Sequence, residues 1–275
     1  MKRILVPIDF SDQARAAAMV AADIARKTDS EIHLLHMLEL PVDMVDPTGI
    51  TNVTGPTALF YMEQTQKEFE EFAKDPMFKD LKVVQNLQFA KTFSGIIQGA
   101  EKAEIDLVVM GSKGATGLSE MLIGSNTEKV VRKSPIPVLV IKEGMPLFSP
   151  NKILFASDFD PESISTLQKL ENFNAVFNAR IEVLRVNTIN NFETSLESEE
   201  KIQAFIDKAG VPVAAKHIYN DESVERGVLN FAKAHNFDLI ALTTHGRSGL
   251  SHLFNGSIGE DLANHAMRPV ITFKA

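Results

Sequence analysis

Two short stretches in the first half of the chain carry residue types suited to holding a phosphorylated ligand. The apolar run Ile4-Leu5-Val6-Pro7-Ile8 ends on Asp9. Further on, Leu107-Val108-Val109-Met110 ends on Gly111-Ser112-Lys113-Gly114, and Gly124-Ser125-Asn126-Thr127 then opens a helical pattern. Glycine lacks a Cβ and adopts φ > 0 freely, so such a loop lets the backbone approach a phosphate closely. A helix starting at Ser125 presents unpaired N–H groups and the positive end of its dipole, a natural anion site. Ser125 and Thr127 add hydroxyl donors, and Lys113 can serve as a charge partner or stay a solvated loop residue. Asp9 can accept hydrogen bonds from ribose hydroxyls, as acidic residues do in dinucleotide sites. It can equally cap the helix that follows Asp9-Phe10-Ser11-Asp12. The glycines alone also read as a long turn. The loop is neither a Walker A sequence nor the Gly-x-Gly-x-x-Gly of a dinucleotide fold.

The elements that must position these residues occur twice. Ile4–Phe10 has the same grammar as Ile153–Phe159, and Ile32–Met37 the same as Ile181–Val186, both 149 residues apart. Later the offset becomes 132: Asp106-Leu107-Val108-Val109 matches Asp238-Leu239-Ile240-Ala241, and Gly114, Gly124 and Ser125 match Gly246, Gly256 and Ser257. The difference places extra length in the first half, best accommodated at Pro41–Ala58, a Pro-, Gly-, Thr- and Asp-rich stretch that reads as a loop beside the strand-two end. Strands are expected at 3–9, 31–38, 82–89, 105–110 and 136–142, with helices near 12–28, 58–75, 93–103 and 125–133. In the second half strands are expected at 151–157, 180–187, 213–219, 237–242 and 269–274. Continuously apolar runs suit strands covered on both faces. Alternating β and α elements predict an α/β fold with a five-stranded parallel sheet and helices on both faces in each half. The expected domains are 1–145 and 150–275, joined near Glu143–Pro150. The last strands, around Ile136–Ile141 and Arg268–Phe273, would be exposed apolar edges, so they are expected to pair across a pseudo-twofold axis.

Gly111-x-x-Gly114, nine residues, then Gly124-Ser125, with Asp9 closing strand one, resembles the nucleotide-binding signature of the universal stress protein family. The resemblance runs over essentially the whole chain as a tandem two-domain member. It implies Rossmann-like (adenine nucleotide alpha-hydrolase-like) domains and ATP, with or without magnesium, as ligand. In ATP-binding members the adenine lies at the ends of strands one and two, which implies Pro7, Ile8, Asp9 and Met37 here. Phosphates and ribose are then implied to lie against Met110, Gly111, Lys113, Gly114, Gly124, Ser125, Asn126 and Thr127. In the second half Asp158, Val186, Gly246, Gly256 and Ser257 stay in register, but Thr243 replaces Gly111, where a side chain could crowd a phosphate or ribose. That second site is expected to be weaker, altered or vacant.

Composition narrows the remaining choices. A net charge of −8, from 28 Lys and Arg against 36 Asp and Glu, argues against a nucleic-acid binder. The absence of cysteine removes thiol nucleophiles and cysteine-based zinc sites. His245, His252 and His265 lack metal-ligand spacing, so no metal site is expected. Apolar runs are too short for a membrane helix or a signal peptide, and a cytoplasmic protein is expected. The acidic stretch Glu193–Lys201 reads as an exposed helix face. No general base or nucleophile stands beside Asp9 and the glycine loop, so no catalytic residue is assigned. A regulatory or stress-response ATP binder leads. A slow ATPase or phosphoryl- or adenylyl-transfer enzyme, and a scaffold without ATP, are the alternatives; the chain is its own pseudo-dimer, with a homodimer as a further assembly.

Overall fold

The computed structural model describes residues 1–38, 56–88, 92–112, 125–142, 148–244 and 268–275. The first half runs β1 (Arg3–Ile8), α1 (Asp12–Thr28), β2 (Glu31–Met37), α2 (Pro56–Ala73), β3 (Val83–Gln88), α3 (Thr92–Lys102), β4 (Leu107–Gly111), α4 (Ser125–Lys133) and β5 (Val138–Ile141). The second runs β6 (Lys152–Ala156), α5 (Ile164–Asn174), β7 (Arg180–Asn187), α6 (Ser195–Ala209), β8 (Ala215–Asn220), α7 (Val224–Ala234), β9 (Leu239–Thr244) and β10 (Val270–Lys274). Each expected strand is present, with ends moved by up to two residues. The acidic stretch differs from expectation: α6 begins at Ser195, and Glu193 lies ahead of it, ion-paired with Arg185 and Lys201.

All ten strands form one sheet in the order β3-β2-β1-β4-β5-β10-β9-β6-β7-β8. Pairing is parallel within each half. β5 and β10 meet antiparallel, with Val140 opposite Val270 and Leu139 opposite Ile271. The two sequence offsets reappear as matched register: Arg3 pairs with Glu31 as Lys152 does with Arg180, and Ile4 pairs with Leu107 as Ile153 does with Leu239. The repeated aspartate has a mechanical role. Asp106 accepts the backbone N–H groups of Lys2 and Arg3, and Asp238 those of Asn151 and Lys152, so one carboxylate anchors the first strand of each half.

Helices cover both faces. On one side α1, α2, α5 and α6 pack over an apolar layer that runs through both halves. On the other, α3, α4 and α7 do the same. Alanine side chains on α1, among them Ala14, Ala17, Ala18, Ala21 and Ala25, are buried, and their small size lets the helix ride close to the sheet. Among the described residues no helix is long and apolar enough to cross a membrane.

On the α7 side, buried Glu182 meets His217 Nε2 at 2.8 Å and Lys152 Nζ at 3.3 Å. Burial pushes its carboxyl up, but the hydrogen bonds from His217 and Lys152, and their charge, outweigh that and hold it below the ordinary glutamate range. The unfolded chain therefore binds the proton more readily, so this contribution is fully present above about pH 4.3, the ordinary glutamate value, and is lost as pH falls through the lower folded value. Glu182→Gln is expected to cost about 1–2 kcal/mol at neutral pH. That deficit should shrink on acidification, as measured by urea unfolding at several pH values. At the seam, Val140→Lys places a charge at a fully buried position and is expected to cost about 3 kcal/mol or more. Amide exchange should speed up in β5 and β10 together.

Candidate functional site

In the first half, strand order reverses between β1 and β4, which pair through Ile4–Leu107 and Leu5–Val108. Open α/β sheets form their ligand crevice at such a point, beyond the carboxyl ends of the strands. Here those ends carry Pro7-Ile8-Asp9 and Met110-Gly111-Ser112. The chain turns sharply out of β1 because Phe10 takes a left-handed conformation, φ 62°. Asp9 Oδ1 then accepts from the Ser11 amide at 3.1 Å and the Ser11 hydroxyl at 2.6 Å. Ser11, rather than Asp9, is the N-cap of α1, its Oγ accepting from the Ala14 amide at 3.2 Å. The aspartate orients the cap, which leaves a half-buried carboxylate held at the mouth of the crevice.

The floor comes from β4. Met110, Gly111 and Ser112 are buried; the Ser112 amide donates to Ile141 O at 3.0 Å and its hydroxyl to Gln13 Oε1 at 3.1 Å. Thr127, in the first turn of α4, donates its hydroxyl to Gly111 O at 3.0 Å. The hydroxyl expected to serve a phosphate thus ties the start of α4 to the end of β4. Asn126 beside it is half-buried, and Ser125 is the first residue of that helix. Met37, at the end of β2, is half-buried and packs against the α3-side layer. His36 Nδ1 lies 2.7 Å from Ile8 O, and its ring sits against Phe10, with centroids 4.7 Å apart. Lys113, Gly114 and Gly124 lie outside the described residues, as does the 41–55 portion of the expected insertion.

Gln13 is the residue the sequence reading passed over. It explains Gly111: a Cβ there would sit 2.9 Å from Gln13 Cβ and 3.0 Å from its carbonyl carbon and oxygen. The glycine is required by the close approach of α1, independently of any ligand. The second half avoids the constraint because its chain enters the helix differently. A short 3₁₀ turn, Pro161–Ser163, stands where α1 would begin, and α5 starts only at Ile164, so buried Thr243 replaces the glycine.

In that half, side chains crowd the ends of β6 and β7. Asp158 is buried, Phe159 repeats the left-handed turn at φ 61°, and Arg185 stands where the first half has His36. The Arg185 guanidinium, 2 % exposed, donates to Asp158 O at 3.0 Å and pairs with Glu193 at 2.7 Å. Glu193 belongs to a connection folded back on β7, in which Asn191 accepts from Thr188 and donates to Val186 O. On the opposite face α7 presses so near that a Cβ on Gly227 would be 2.5 Å from Val186 Cγ1. Among the described residues, Asp158, Val186 and Asn191 line a cavity of about 10 Å³, room for about one water. Gly246, Gly256 and Ser257 lie outside the described residues. Gly111→Ala is expected to destabilise the nucleotide-free protein by about 1–3 kcal/mol, read from thermal or urea unfolding, because the new methyl must displace the α1 backbone.

Comparison with known proteins agrees with this architecture. The model of the universal stress protein family matches residues 1–142 and again 150–274. A universal stress protein of Synechocystis is 22 % identical over the full length of both chains. Another, from Methanocaldococcus jannaschii, is 32 % identical and matches 51 % of this chain and 94 % of its own. Among solved structures, a universal stress protein from Archaeoglobus fulgidus superposes with a TM-score of 0.76 at 20 % identity, covering 99 % of this chain and 98 % of that one. With both halves matched, the chain belongs to the universal stress protein family.

Proposed function

We propose that this protein is an ATP-binding regulator of the stress response, acting in the cytoplasm, with one nucleotide held in the crevice of its first half. The observation that carries the reading is the convergence of the Asp9 turn, the Met110-Gly111-Ser112 strand end and the first turn of α4 at the strand-order reversal. A carboxylate already oriented by Ser11 suits ribose hydroxyls. The N-terminus of α4, preceded in sequence by the glycine loop, suits phosphates. Pro7, Ile8 and Met37 would border the adenine, and Lys113, Gly114, Gly124, Ser125, Asn126 and Thr127 the phosphates and ribose. The crowding around Asp158 and Val186 in the second half supports a stoichiometry of one. Residues 1–145 and 150–275 are read as two domains that act as a built-in pseudo-dimer.

Two features favour a regulatory over a catalytic role. Asp9 is oriented by Ser11 through Oδ1, and the Thr127 hydroxyl donates to a backbone carbonyl, so both have positioning roles within the fold. Freshly purified protein, denatured and assayed for adenine nucleotides, is expected to release about one ATP per chain, since a ligand that binds only the folded state is freed on unfolding. Gly114→Glu should abolish that release by placing a carboxylate against the phosphates. Mostly ADP, in a preparation free of contaminating ATPase, would favour slow hydrolysis instead. No nucleotide on release and no binding on titration would leave the scaffold reading.

A further inference from the structure

The duplication supplies an internal comparison that exposes a second recess, on the α3 face of the first-half sheet and away from the nucleotide crevice. In the second half the corresponding space is packed with rings. Phe231 of α7 lies 4.9 Å from His217, 5.5 Å from Tyr219 and 4.2 Å from His235, measured between ring centroids. The helices α3 and α7 are both 11 residues long, and their glycines Gly95 and Gly227 keep them in step. Phe231 therefore corresponds to Gly99, and His235 to Ala103. Strand pairing sets the other two correspondences: Val84 faces His33 as Ala215 faces Glu182, so Asn86 stands for His217 and Gln88 for Tyr219. Four rings are replaced by glycine, alanine and two carboxamides, and a groove of about 200 Å³ opens in their place.

The lining is chemically mixed. Leu5, Leu35 and Val84 form an apolar floor, while Asn86, Gln88 and Lys102 offer polar groups around it. His33 also lines the groove and is only 7 % exposed; its Nε2 lies 2.8 Å from Glu31 Oε1, yet neither buried ring nitrogen has a hydrogen-bond partner among the described residues. Buried polar nitrogens in folded proteins nearly always find a partner, so a solvent or ligand atom is expected there. Lys102 provides the only permanent charge among the described lining residues, which selects an anion. It is also the last residue of α3, where the carbonyl end of the helix opposes anions in proportion to their charge, so a single negative charge is disfavoured less than a double one such as phosphate.

We propose that this groove is a binding site for a small monocarboxylate with a compact apolar body. The carboxylate sits by Lys102 and the carboxamides, and the apolar part lies on Leu5, Leu35 and Val84. None of these residues belongs to the proposed nucleotide set, so the site stands or falls separately from ATP binding.

The test titrates the ¹⁵N-labelled full chain with 3-phenylpropionate, using 3-phenylpropylamine and 3-phenylpropanol as charge controls. The carboxylate is expected to produce saturable shifts at Asn86, Gly99, Lys102 and Ala103 and at the His33 ring. Loss of the charge-assisted contact makes the amine and the alcohol about tenfold weaker or more. Gly99→Phe, which restores the second-half filling, should abolish the shifts. Its added Cβ meets only the flexible ends of Leu35 and Gln88, at 3.3 and 3.7 Å. Lys102→Gln changes only the exposed rim and should weaken binding about tenfold, which keeps the test decisive if Gly99→Phe does not fold. The proposal is overturned if the carboxylate gives no saturable shift at millimolar concentrations. It is equally overturned if the amine binds as well, or if the shifts survive either variant undiminished; the recess is then an under-packed layer and nothing more.

Discussion

Parallel strands built from continuous apolar runs must be hidden on both faces and, where the edge itself is apolar, along the edge as well. That constraint organises this molecule. β5, Val-Leu-Val-Ile, has no polar alternation that would let it face water as an edge, and in β10, Val-Ile-Thr-Phe-Lys, every residue but Lys274 is buried. Each half is therefore incomplete alone, and antiparallel pairing of the two strands joins them into one sheet with two continuous cores. The outermost strands show the contrast. β3 and β8 carry Gln85, Asn86 and Gln88, or Lys216, His217 and Asn220, and are the sheet's edges among the described residues. Charged and amide side chains blunt an edge against pairing with another chain.

With the sheet arranged in this way, the position of the crevice is a matter of topology. β1 and β4 are neighbours although other elements and a long connection separate them in sequence, and their carboxyl ends open on the same side. What distinguishes the halves is how closely the helices ride on that opening. In the first, α1 begins immediately after its serine cap, and its Gln13 backbone leaves room only for a glycine at the end of β4. In the second, the delayed start of α5 frees that position, while the Arg185–Glu193 pair and the approach of α7 crowd Asp158 and Val186 at the ends of β6 and β7. Two copies of one plan have diverged by packing rather than by topology. The same divergence runs the other way on the α3 face, where the second half is filled with aromatic rings and the first is open.

Much of this was legible beforehand. Hydrophobic period marked strands and helices, because a residue pattern that must be hidden on one face or two repeats with the geometry of its element. Identical grammar at offsets of 149 and 132 established the duplication, and the strand registers carry the same two offsets. The apolar last strands announced their pairing. Asp106 and Asp238 were visible as a repeated residue, but not as the anchors of the first strands, since their partners lie more than eighty residues away.

The sequence by itself thus determined the element types, the repeat, the seam and the family signature, all of which rest on local period or on residues at fixed spacing. Only the tertiary structure decided that Ser11 caps α1 while Asp9 orients it, that Gly111 answers to Gln13, that Arg185 is buried against Asp158 and Glu193, and that Gly99 leaves a groove. Each of these depends on the distance between elements far apart in the chain. That distance is set by the combined bulk of every side chain between helix and sheet, a quantity no local pattern encodes.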